Sequence, residues 1–108
     1  MDPRYNYVRS GEVVDSVAGA IDELLAELRP FKGASALYRR GLERAGDVVS
    51  STDLELFSAG LVAVLSDIRT RLRLASTVDP DRSDPDFRRG LGLAARLVEL
   101  RLFAATLR

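Results

Sequence analysis

From Val14 onward apolar residues return in steps of three and four: Val14, Val17, Ile21, Leu24 and Leu28. That spacing stacks them on one side of an α-helix, where a strand would need a period of two. Val13 and Leu25 widen the stripe, and Glu12, Asp15, Asp22, Glu23 and Glu27 occupy the other side. Ser10 is placed to cap the start of this helix, predicted over 11–29. Pro30 ends it, because the residue before a proline resists the α region. A helix with one apolar face gains its stability by packing that face against others.

Three further segments carry the same period. Over 34–49, Leu37, Tyr38, Gly41, Leu42, Ala45, Val48 and Val49 share a face, with Gly46 a possible early end. A third helix is expected to open at Thr52, with Glu55 three residues on as a capping box. Its stripe is Leu54, Phe57, Leu61, Val64, Leu65, Ile68, Leu72 and Ala75, running without a break through Gly60. Close approach of a neighbouring backbone would explain that glycine. Leu24, Leu61, Val64 and Ile68 are expected to be buried. The loop STVDPDRSDPD leads to Asp84-Pro85, an N-cap followed by a proline at the first helical position. A fourth helix follows, over 85–108. No segment alternates long enough for a strand, and the connections at 30–33 and 50–52 are short. The expected fold is all-α: a small up-down antiparallel bundle of four helices over 10–108, preceded by an arm at 1–9.

The fourth helix has two apolar faces. Leu91, Ala94, Val98, Leu102 and Ala105 lie within an arc of about 80°, and Leu93, Leu97, Leu100, Ala104 and Leu107 within another of similar width. Gly90 and Gly92 suit close packing of a second backbone against its first turns. A helix apolar on two sides must bury both: either it lies deep in its own bundle against two neighbours, or the second face meets another chain, which is the reading preferred because a bundle helix usually needs one wide stripe. Leu93, Leu97, Leu100, Arg101, Ala104 and Leu107 form the candidate interface. Arg101 and Arg108 border it. Helix one carries five acids and one arginine, while helix four carries five arginines and two acids. Helix one of a second subunit could therefore supply facing acids.

Composition removes several kinds of chemistry. With no cysteine there is no disulfide, thiolate nucleophile or zinc-thiolate site. With no histidine the commonest general base and imidazole metal ligands are gone. There is no glycine-rich phosphate loop, and the serines and threonines have no evident base partner. No catalytic residue, metal site or cofactor is expected. The longest apolar run, at 61–65, is far short of a membrane span. The opening MDPRYNYVRSGEVV has no apolar signal core. The chain is expected to be soluble and cytoplasmic.

Sixteen basic and 16 acidic residues cancel, and arginine outnumbers lysine 15 to 1. The clusters Arg39/Arg40/Arg44, Arg69/Arg71/Arg73 and Arg88/Arg89/Arg96 suit solvated helix surface. Nucleic acid is not the expected partner, because a neutral domain would need local neutralisation of phosphate. The segment IDELLAELR at 21–29 resembles the first helix of the helical chorismate mutases over nine residues. It departs from that family in having no early arginine between positions 11 and 28, and the family is not assigned.

The expected function is a non-enzymatic interaction module that forms a homodimer or docks on a protein partner through its fourth helix. The alternatives are a DNA-binding regulator and a small arginine-based helical enzyme. A pocket lined by three or more arginines would favour the last.

Overall fold

Helix α1, Pro3–Glu27, opens on a proline, whose missing N–H costs nothing at the first helical position. A computed structural model describes the backbone of residues 3–107 and the side chains of residues 11–107. The helix expected to start after Ser10 thus starts earlier. Ser10 lies within it, and residues 3–9 of the expected arm form its first turns. Further along α1, Val17, Ile21 and Leu24 turn into the core, as does Leu28 just past its end.

Helix α2, Ala36–Ser50, is capped by Ser35, whose hydroxyl accepts from the Tyr38 N–H. It runs through Gly46 without ending there. Helix α3, Leu61–Val78, is shorter than the 52–75 stripe implied. A separate 3₁₀ turn, Leu54–Ala59, precedes it, capped by the Asp53 carboxylate accepting from the Glu55 N–H. Gly60 joins the two at φ 100°, a left-handed region where side chains are strained. A Cβ there would meet nothing within 4 Å. Gly60 is therefore a hinge in the chain path, and neither a helix interior nor a point of close packing. Leu61 becomes the first residue of α3 and is only partly buried, whereas Leu24, Val64 and Ile68 are sealed.

Thr52 is not the expected helix cap. It sits buried just after α2, where its hydroxyl donates to the Val49 carbonyl at 2.8 Å. Arg71 of α3 completes this corner. Its guanidinium donates to Thr52 Oγ1 at 2.7 Å, to the Val48 carbonyl at 2.6 Å, to Ser51 Oγ at 3.0 Å and to Asp67 at 2.9 Å. A cation on the last carbonyls of α2 also suits the negative end of its dipole. Thr52→Val keeps the side-chain shape and deletes the hydroxyl. It is expected to cost about 1–3 kcal/mol in urea unfolding, because the Arg71 hydrogen bond loses its acceptor in a buried place.

Helix α4, Pro85–Thr106, begins as expected, with the Asp84 carboxylate accepting from the N–H groups of Asp86 and Phe87 at 2.9 and 3.1 Å. The fold is all-α, with α1 to α4 alternating in direction and one shared core. No strand occurs among the described residues. Its most intimate pair is α2 with α4, which both begin at one end of the molecule. There Ser35 Oγ donates to Asp86. Gly41 and Gly90 meet backbone to backbone: a Cβ on Gly41 would sit 2.9 Å from Leu91 N, and one on Gly90 3.2 Å from the Gly41 Cα. The close packing expected at Gly90 is present. At Gly92 it is not, for nothing lies within 4 Å of a Cβ there.

Candidate functional site

The core face of α4 is the stripe Leu91, Ala94, Val98 and Leu102, joined by Phe87 and Gly90. Ala105, expected in this stripe, is partly buried at its end. The second stripe stays outside. Leu93, Leu100, Ala104 and Leu107 are exposed, Leu100 at 60% and Leu107 at 72%. Leu97 is the exception, leaning inward and packing against the core. Phe103, outside both stripes, is 64% exposed and adds to the apolar surface.

Arg101 does not wait for another subunit. It pairs with Glu27 of its own chain, tying α4 to the end of α1. Arg108 lies outside the described residues. Beside Arg101, a groove runs between α1, the start of α3 and the end of α4. Small residues line it (Ser16, Gly19, Ala20, Ala104 and Ala105).

Charge divides along the two outer helices. The solvent side of α1 shows Glu12, Asp15, Asp22 and Glu23. Over its N-terminal half, α4 shows Arg88, Arg89 and Arg96. Arg89 and Arg96 flank Tyr38 and Leu93 in a shallow depression against α2. Arg89 also lies 3.6 Å from Asp86, one turn back.

The other arginine clusters do not converge on one basic face. Arg40 pairs with Asp81, and Arg44 with Asp79 at 3.3 Å, tying α2 to the loop before α4. The hydrogen bond to Asp81, then its charge, raises the pKa of the Arg40 guanidinium above its ordinary value. Arg69 and Arg73 of α3 both approach Glu99 of α4 at 3.7 Å. These pairs explain much of the arginine content as cross-links between elements.

A different trio of arginines does converge. Arg73 from α3, Arg82 from the loop and Arg88 from α4 rim a cavity of about 340 Å³, floored by Leu72, Phe87, Leu91 and Ala95. Sequence spacing could not group them, since they come from three separate segments.

No helix among the described residues is long and apolar enough to cross a membrane. Compared with protein-family models, curated proteins and solved structures, the chain finds no match.

Proposed function

We propose that this chain is a non-enzymatic helical module that associates with a second copy of itself, the outer face of α4 receiving the outer face of α1. The observation that carries the reading is the exposed run Leu93, Leu100, Phe103 and Leu107, on a helix whose opposite face already fills the core. Leu100, Phe103 and Leu107 lie within two turns of one another, and exposed apolar surface of this kind marks interaction sites. Charge selects the occupant. Arg89 and Arg96 edge the outer side of α4, and α1 offers exposed carboxylates of opposite sign. Within one chain α1 and α4 meet at the Arg101–Glu27 pair, and in the proposed two-fold dimer each α1 lies over the other subunit's α4.

The test is mass in solution. Wild type is expected to run as a dimer at micromolar concentration and to weaken as salt screens the charged rim. Leu100→Glu with Leu107→Glu is expected to give a monomer with unchanged helical circular dichroism, since both side chains are exposed. Leu97 is left alone because its inward packing would confuse association with folding. A wild-type monomer, or a double variant that stays dimeric, would sink the proposal.

A further inference from the structure

We infer that the cavity between α3, α4 and the loop before α4 binds a small anion with an apolar body: a carboxylate or phosphate ester on an aromatic or branched aliphatic group. The site is independent of the outer stripe of α4, lying on the side where that helix meets α3.

The floor and the rim have opposite chemistry. Leu72, Phe87 and Leu91 lie buried beneath the cavity, and of its apolar side chains only Ala95 is partly open to it. Gly92 leaves one wall without a side chain. Above this stand Arg73, Arg82 and Arg88, and no acidic side chain lines the cavity among the described residues. A volume of about 340 Å³ lies at the small end of the range for ligand pockets.

The loop explains why positive charge is left over here. Its acids are turned away or used up. Asp79 receives Arg44, and its other oxygen accepts from the Asp81 N–H. Asp81 pairs with Arg40 on the α2 side. Asp84 caps α4. Arg82 goes the other way, toward the cavity, held by one hydrogen bond from its guanidinium to the Asp79 carbonyl at 3.2 Å. The nearest counter-charge to the trio is Glu99, 3.7 Å from Arg73 and shared with Arg69, too far for a hydrogen bond. Arg88 has no ion-pair partner among the described residues. Guanidinium groups hold planar oxyanions through paired N–H donors, so two or three of them over an apolar floor select a ligand with a charged head and an oily body. No nucleophile or base stands among them, as Ser76 Oγ donates to the Arg73 carbonyl. A trio of arginines in one pocket is the feature that favours an arginine-based enzyme, and the role assigned to them is binding alone.

Phenyl phosphate, inorganic phosphate and phenol are the probes, each titrated into isotope-labelled full-length protein while backbone amide shifts are followed. Phenyl phosphate is expected to saturate, with shifts centred on Arg73, Arg88 and Gly92. Inorganic phosphate and phenol are each expected to bind at least about tenfold more weakly, since each supplies half of the match. Arg88→Gln and Arg82→Gln alter exposed side chains and leave the core intact. Each is expected to weaken phenyl phosphate about tenfold. An absence of saturable shifts, equal binding of the three probes, or indifference to both substitutions would overturn the inference. Shifts centred on Leu100 and Leu107 would overturn it as well, by locating the binding on the outer face of α4. None of these results bears on the mass of the protein, so the fate of the dimer is decided separately.

Discussion

Gly90→Ala is expected to destabilise the fold by about 2–3 kcal/mol, and Gly41→Ala by a similar amount. Both glycines are helical, and alanine is intrinsically the better helix former by about 1 kcal/mol, so local propensity argues for the opposite sign. Tertiary contact decides it. A Cβ on Gly90 would strike the Tyr38 carbonyl, and one on Gly41 would strike the Phe87 carbonyl. These obstacles are backbone and cannot swing aside as the tip of a flexible side chain would. To admit a methyl group, α2 and α4 must move apart, loosening the contacts of Leu42, Ala45, Leu91 and Ala94. Gly46→Ala is the control. It lies in the same helix with nothing within 4 Å of a Cβ, and is expected to stabilise by about 0.5–1 kcal/mol. Chemical denaturation of the three variants reads the contrast directly. A stabilised Gly90→Ala protein would mean that the α2–α4 crossing is wider than described.

Phe87→Ala is expected to cost about 3–5 kcal/mol. Its ring is fully enclosed, at 0% exposure, in the first turn of α4. It packs where α4 meets α3 and floors the arginine-rimmed cavity. Removing it leaves a void that neighbouring backbone cannot collapse into, because Gly41 already rests against the Phe87 carbonyl. Small domains are held by about 5–15 kcal/mol in all, so this one substitution takes a large share. Unfolding followed by circular dichroism would show it as a lowered midpoint with the slope unchanged. A loss under about 1 kcal/mol would place Phe87 outside the core.

Helix type and the main apolar faces were legible because each rests on local periodicity. Asp84-Pro85 marked the start of α4 correctly, since a carboxylate cap and an N1 proline are contained within two adjacent residues. The break at Gly60 was not legible. Phe57, Leu61 and Val64 keep helical spacing across it, and periodicity carries no information about the sign of φ. The misplaced cap at Thr52 has the same origin. A threonine three residues before a glutamate fits a capping box, but Asp53 caps the turn, and Thr52 answers to Arg71, far along the chain. Gly90 could be recognised as a contact glycine, while its partner Gly41 could not, because pairing of α2 with α4 is a property of the assembled bundle. The second stripe of α4 was legible as a pattern, but which of its residues stay outside was not: Leu97 turns inward while Leu93, Leu100, Ala104 and Leu107 are exposed. Nor was the own-chain partner of Arg101 legible, since sequence could supply a carboxylate from either copy.

The Gly41–Gly90 crossing also bears on how the chain emerges during synthesis. The helix that α2 packs against most closely is α4, made after the whole of α3. Until α4 leaves the ribosome, the Gly41 face of α2 lacks the backbone it packs against. A nascent chain ending near residue 84 therefore presents an open seam at the point of tightest packing. Native contacts between segments so distant in sequence slow folding, because a long loop must close before they reward it. The native α2 seam closes only once α4 has been made, and truncations within α4 are expected to be collapsed and prone to aggregate.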